Sequence, residues 1–359
     1  MDNNNSEIDS STEEERSEVQ DDTSVLSDDV LLLIFLELSW EDINNIKFVS
    51  RRFYGIVNRN YHRLERRRVR RVSIEYDKNS GSHPFHVLMA FHGVDLPEVL
   101  RDFYTKATSF QSVEELTGFL KMLDMKNLDE FIAPFADNLD IFSILERVFE
   151  IGTNINKLVI PELMEKDFES FKTLIEKLSS IETFIIEHIC SASTEEKDVY
   201  SLLSLSSLNN IQYFQIGECN KTKILSGDIV AKLLRNNLNI ETLSIGSMNT
   251  EFLKSAFKKF FTADQPRKME SECHHYELNL FLSVRGEFEN LHDILSNDIG
   301  ELENVEEVDV PDDSYDSDVP ELAVFESIAD CKNCPKNRHT IRRCVTIFDM
   351  EDEDEEWNH

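Results

Sequence analysis

The sequence predicts an α/β protein: a small three-helix unit, then an irregular solenoid of alternating strands and helices, with acidic tails at both ends. Three observations carry that expectation. Residues 25–58, VLSDDVLLLIFLELSWEDINNIKFVSRRFYGIVN, hold three helical patterns separated by capping residues. A hexad of the form apolar-x-x-apolar-x-apolar recurs along the chain at intervals of roughly 30 residues, within the range that marks stacked repeats. Amphipathic helical stripes lie between the hexads.

The elements follow in chain order. Residues 1–24 are polar and acidic, with Ile8 and Val19 as the aliphatic exceptions, and are expected to be disordered. Within residues 25–63, Ser27 is placed to cap a first helix, with Asp28 and Asp29 in its first turn, where the helix dipole favours negative charge. Ser39 opens S-W-E-D, and Asp42 stands where a capping box needs an acceptor. The first helix is therefore expected to end near Leu38 and a short second helix to begin there. A third helix is expected to carry Ile46, Val49, Phe53, Ile56 and Val57 as one stripe.

The first helix is apolar on all sides. Val30, Leu31, Ile34, Phe35 and Leu38 form a broad face, and Leu32, Leu33 and Leu36 cover most of the remainder. Three short helices have too much surface for their volume to enclose it, so another domain or another protein is expected to cover part of it. A membrane is not the expected partner. The run from Val30 to Leu38 is broken by Glu37 and falls far below the roughly 20 residues a spanning helix needs.

Behind this unit the hexads are VRRVSI from Val69, INKLVI from Ile155, IETFII from Ile181, IQYFQI from Ile211, IETLSI from Ile240 and VEEVDV from Val305; HYELNL from His275 reads as a degraded copy. The stripes between them are Phe168, Phe171, Leu174, Ile175 and Leu178; Ile229, Val230, Leu233 and Leu234; Phe252, Leu253, Ala256, Phe257 and Phe260; and Phe288, Leu291, Ile294 and Leu295. A strand or a helix of this kind buries its apolar side only when units stack. Residues 64–154 are expected to be a linker with degenerate repeats. It starts in the basic stretch RLERRRVRR, Arg63 to Arg71, read as a solvated hinge helix drawn to the acidic tails, or as an import signal or anion patch. NLDEFIA from Asn127 and NLDIFSI from Asn138 are repeat fragments. The repeat domain proper is expected over 155–310, with an acidic tail over 311–359.

Hydrophobic content of 40%, charged content of 30% and a net charge of −33 fit a soluble protein and oppose binding of the whole chain to nucleic acid or an anionic membrane. The opening MDNNNSEIDSSTEEE is acidic where a secretory leader is basic, so a cytoplasmic or nuclear location is expected, with the six cysteines as reduced thiols. No G-x-x-x-x-G-K-[ST], G-x-G-x-x-G or G-x-S-x-G occurs. No carboxylate pair stands out as an acid and base, and no catalysis is expected from this chain.

One cluster has metal-ligand spacing. CKNCPKNRHTIRRC holds Cys331, Cys334, His339 and Cys344 as C-x2-C-x4-H-x4-C, a donor set able to complete a tetrahedral structural zinc site. Its spacing resembles a retroviral-type zinc knuckle, which implies single-stranded RNA as ligand. Pro335 and Arg338 stand where that turn needs glycine, and Lys332 where it needs a stacking aromatic. Val345-Thr346-Ile347 alternatively forms a last repeat strand with Cys344 packed in it. No other cofactor is expected.

The order L-x-D-D-V-L-x-x-I-F-x-x-L, then x-x-x-D-I, then V-S-R-R-F-Y-x-I resembles the F-box. That resemblance implies a three-helix hook that binds a Skp-type adaptor and, through it, joins a cullin–RING ubiquitin ligase. Carried onto this sequence, the partner-binding set is Leu26, Val30, Leu31, Ile34, Phe35, Leu38, Ile43, Val49, Arg52 and Phe53. Ser27 stands where the family usually has proline, and Ser50 where it often has cysteine. The hexads resemble a divergent leucine-rich repeat, whose closing polar position is held by Cys219 in one unit and by Leu163, Ile189 and Met248 in others. An F-box followed by such repeats, with the basic strand from Val72 to Asp77 between them, resembles the large nematode-type F-box families. The implied function is the substrate-recognition subunit of an SCF-type (Skp–cullin–F-box) ligase, acting on an unknown substrate protein. The alternatives are a zinc-knuckle nucleic-acid binder and a repeat scaffold with no ligase role.

Overall fold

The computed structural model describes residues 25–91, 106–135, 139–193, 195–208, 210–220, 222–263, 276–308, 322–330 and 340–349. The acidic tail expected over residues 1–24 lies outside the described residues, as do Cys331, Cys334 and His339. The chain divides into two compact units, 1–66 and 67–359.

The first unit has helices α1 (Asp28–Phe35), α2 (Trp40–Ile46) and α3 (Arg51–Asn60). Each starts at a serine whose hydroxyl accepts a backbone N–H of the first turn: Ser27 from Val30, Ser39 from Asp42 and Ser50 from Phe53. Ser39 also donates to Asp42 Oδ2 at 2.9 Å, which ties the cap from both sides. The boundaries differ from expectation in two places. Helix α1 ends at Phe35, short of Leu38, and α3 begins only after Ser50. Ile46 therefore closes α2 and Val49 lies in the turn, because Ser50 is itself a cap and restarts the helix. Phe35 and Phe53 meet edge to face at 5.3 Å, among buried Leu31, Trp40, Ile43, Ile56 and Val57.

The second unit is mixed α/β. Its strands are β1 (Arg67–Tyr76), β2 (Phe85–Phe91), β3 (Lys106–Phe110), β4 (Leu123–Asp124), β5 (Asn127–Ile132), β6 (Thr153–Met164), β7 (Leu178–Cys190), β8 (Tyr213–Glu218), β9 (Thr242–Gly246), β10 (Tyr276–Val284), β11 (Val305–Val308), β12 (Leu322–Asp330) and β13 (Thr340–Asp349). They form one sheet in the order β11-β12-β13-β10-β9-β8-β7-β6-β5-β1-β2-β3, with β4 beside β1. From β1 through β5 to β10, and on to β13, neighbours run parallel. The helices between are α4 (Val113–Leu120), α5 (Ile141–Glu146), α6 (Phe168–Ile175), α7 (Val199–Leu202), α8 (Asp228–Asn236), α9 (Thr250–Thr262) and α10 (Phe288–Asp298).

The hexads pair in phase. Ile155 lies opposite Ile181, Leu158 opposite Phe184, and Ile160 opposite Ile186; Phe184 and Ile186 then face Phe214 and Ile216, which face Leu243 and Ile245. All of these are buried. Alternation sends Leu158 and Ile160, and likewise Phe184 and Ile186, Phe214 and Ile216, and Leu243 and Ile245, to one face, where the helices lie. Phe171 of α6 stacks on Phe184 at 6.3 Å, and Phe142 of α5 packs on Phe171 at 5.0 Å.

Four readings are corrected by this register. NLDEFIA is a full unit: Leu128 faces Ile155 and Phe131 faces Leu158 and Val72. NLDIFSI instead supplies helix α5. The unit read from His275 is set two residues later, with Leu280 opposite Leu243 and Leu282 opposite Ile245. Leu278, Leu280 and Leu282 alternate, so a slip of two leaves every side chain on its face and the pattern alone does not choose. Val305 begins a short strand that pairs antiparallel with β12. The next parallel strand is β13, where Val345 and Ile347 face Leu280 and Leu282.

The basic stretch also differs from the expected hinge helix. Its last five residues enter β1, where Arg70 pairs with Asp129 at 2.9 Å and Arg67 stands over the Phe91 ring at 3.8 Å. Among the described residues no helix is long and apolar enough to cross a membrane.

Phe184→Ala should cost about 3–5 kcal/mol, because a buried ring touching two neighbouring phenylalanines leaves a cavity. Glu182→Ala, on the exposed side of the same strand, should stay within about 0.5 kcal/mol. Urea unfolding of the two variants measures the contrast.

Candidate functional site

The first unit presents an apolar surface. Val30, Leu33 and Ile34 lie three and four residues apart, so they share one side of α1. All three are exposed, Leu33 at 62%. Leu26 before α1 is exposed too, and the turn before α3 adds Phe48 at 74% and Val49 at 70%. Arg52 ties the starts of the two helices together. Its guanidinium donates to Asp28 Oδ1 at 2.8 Å and to the Leu26 carbonyl, while Arg59 reaches Asp28 Oδ2 at 3.0 Å. The Arg52 hydrogen bond holds the Asp28 carboxyl below its usual range. Lys47 stands over the Phe48 ring at 5.0 Å, and burial pulls its ammonium below the usual value.

The ten residues of the partner-binding set thus fall into distinct places. Leu31, Phe35, Ile43 and Phe53 are interior and hold the helices together. Leu26, Val30, Ile34 and Val49 are exposed, and Leu38 and Arg52 are half-buried. Leu33 and Phe48, outside that set, are among the most exposed apolar side chains of the unit. This surface holds no nucleophile beside a base. What it can do is lose apolar area to a partner, at about 25 cal/mol per Å² removed from water.

The second unit carries a different feature at the carboxyl ends of β7 to β10, the edge where open parallel sheets bind ligands. Glu187, His188, Gly217, Glu218, Asn220, Gly246, Ser247, Met248, Ser283 and Arg285 line a shallow recess open to solvent. Gly217 is required there: a Cβ would stand 2.4 Å from the Glu187 carbonyl oxygen.

Glu218 went unmarked in the sequence. Alternation along β8 puts Glu218 inward with Phe214 and Ile216, ahead of Cys219, and an extra residue in β7 sets Ile189 opposite it. Its carboxylate accepts the N–H groups of Ile224 at 2.7 Å and Leu225 at 2.8 Å, and the Ser247 hydroxyl donates to it as well. Burial pushes this carboxyl above the ordinary glutamate range. The signal available beforehand was the alternation itself: Glu218 follows Phe214 and Ile216 at a spacing of two.

The cysteines differ from the expected set of free thiols. Cys190 and Cys219 are joined as a disulfide, with Cα atoms 5.2 Å apart, because parallel pairing brings the ends of β7 and β8 side by side. Cys344 lies within β13, half-buried, paired in register with Asn279 and Glu326. Burial raises its thiol pKa above the usual value.

No family model matches this chain, and no curated protein matches it.

The raised Glu218 value sets a sign. The folded chain holds this proton more tightly than the unfolded chain, so stability is greatest below the ordinary glutamate value and declines as pH rises from there through the raised one. Glu218→Gln should remove that part of the pH dependence while still accepting from Ile224 and Leu225. Glu218→Ala should cost about 1–3 kcal/mol at neutral pH, since it strands buried N–H groups. Denaturation of the three proteins across the acid range reads both effects.

Proposed function

We propose that this chain is the substrate-recognition subunit of an SCF-type ubiquitin ligase. In this reading the first unit is an F-box that docks a Skp-type adaptor, and through it a cullin–RING ligase. The second is a leucine-rich-repeat-like solenoid that holds a target protein. The observation that carries it is the apolar surface of Val30, Leu33, Ile34, Phe48 and Val49, left open beside a well-filled Phe35–Phe53 core. A three-helix unit has no folding reason to expose five large apolar side chains; burial against a partner supplies one.

The repeat domain supports the second half of the reading. Its uncovered face carries in-register rows: Thr183, Tyr213, Thr242 and Asn279 in one, and Ile185, Gln215, Ser244 and Phe281 in the next. Every one of these side chains is half-buried. Mixed polar and aromatic rows of this kind suit a protein surface. The chain itself is non-catalytic in this reading, and other subunits transfer the ubiquitin. It works in the cytoplasm or nucleus.

The test is capture of a Skp-type adaptor by the full chain. Val30→Asp with Ile34→Asp, and separately Phe48→Asp with Val49→Asp, should abolish capture while leaving the melting temperature unchanged, because these side chains are exposed. Leu31→Asp with Phe35→Asp would lose capture by unfolding the unit and is uninformative. No capture by the wild-type chain, or capture that survives both exposed pairs, removes the ligase reading.

A further inference from the structure

We propose that Glu162, Cys190 and Cys219 form a site for a thiolate-preferring divalent cation of the zinc class when the two cysteines are reduced. The sheet register brings them together. Glu162 on β6 faces His188 on β7, and Met164 faces Cys190. Leu163 and Ile189, between those pairs, point into the core. Alternation therefore turns Glu162 and Cys190 to the uncovered face. Cys219 follows β8, and its N–H donates to the Ile189 carbonyl at 3.1 Å, which sets it beside Cys190.

One ligand atom from each residue lies within 4.8 Å of the other two, and all three residues are half-buried. A tetrahedral zinc ion places sulfur and carboxylate donors about 3.4 to 3.8 Å apart, so small side-chain rotations reach the required spacing. Two thiolates and one carboxylate make a soft, anionic set that favours zinc-class ions over magnesium or calcium. Three protein donors leave a fourth position for water. The ion would clamp β6, β7 and β8 at the carboxyl edge of the sheet, next to the recess at His188 and Glu218.

The disulfide and the metal site exclude one another. An external thiol or phosphine reductant supplies two electrons, the S–S bond breaks, and each sulfur takes a proton. Zinc then displaces both thiol protons as it binds.

The experiment uses the full chain with Cys331→Ser and Cys334→Ser, so that the C-terminal cysteines cannot contribute a site. The protein is reduced with a phosphine, desalted without oxygen and titrated with zinc chloride against a chromophoric chelator. The expected result is one zinc per reduced chain and none on the disulfide form, with zinc shielding two thiols from alkylation. Cys190→Ser with Cys219→Ser should abolish binding, and Glu162→Gln should weaken it at least tenfold. Cys344→Ser should change nothing. A reduced chain that takes up no zinc, or one that keeps its zinc without Cys190 and Cys219, overturns the proposal.

Discussion

The in-phase pairing of parallel strands is the constraint on which the second unit rests. Each hexad from Ile155 to Ile240 buries its three apolar residues, and the register stacks them across the sheet: Ile155 on Ile181, Phe184 on Phe214, Leu243 on Leu280. A single strand of this pattern has nowhere to hide its aliphatic side chains. Seven parallel neighbours and the helices between them remove those side chains from water together. A slip of one residue in any strand would turn its entire apolar set outward.

The same alternation that fills one face leaves on the other a half-buried mixture of polar, aliphatic and aromatic side chains. Glu218 shows how alternation alone can bury a charged group. It continues Phe214 and Ile216 on the inward face of β8, and the extra residue in β7 between Ile186 and Ile189 sets Ile189 opposite it. The carboxylate takes the backbone N–H groups of Ile224 and Leu225, while Cys219, one residue on, meets Cys190. Burial is unfavourable for the charged carboxylate, and its three donors offset that cost only in part, which is why its pKa rises.

The first unit works by a different balance. Its interior is complete: Phe35, Ile43, Phe53 and Ile56 are almost wholly enclosed. Its remaining apolar residues are arranged on one side of α1 and in the turn before α3, held in place by Arg52 and Asp28. Leu31 and Phe35 keep the unit together, whereas Val30, Ile34 and Val49 are left exposed.

Much of the molecule was legible in the sequence. The caps at Ser27 and Ser39, the helical stripes of α6 as far as Ile175 (Leu178 instead opens β7), α8, α9 and α10, and the strand hexads from Ile155 to Ile240 all follow from local periodicity, which a side chain's own size and polarity determine. What sequence periodicity does not contain is direction, register by twos and long-range neighbourhood. So the Val305 strand proved antiparallel, the His275 unit sat two residues later, and β13 took the next parallel place. Which leucines of α1 lie inside was equally a tertiary matter, since a helix apolar on every side carries no label for its buried face. Local patterning accounts for the strands from β6 to β9 and for the amphipathic faces of α6, α8, α9 and α10. Only the three-dimensional pairing decided that Glu162, Cys190 and Cys219 meet, because those contacts join residues far apart in the chain through a ladder whose register no local pattern specifies.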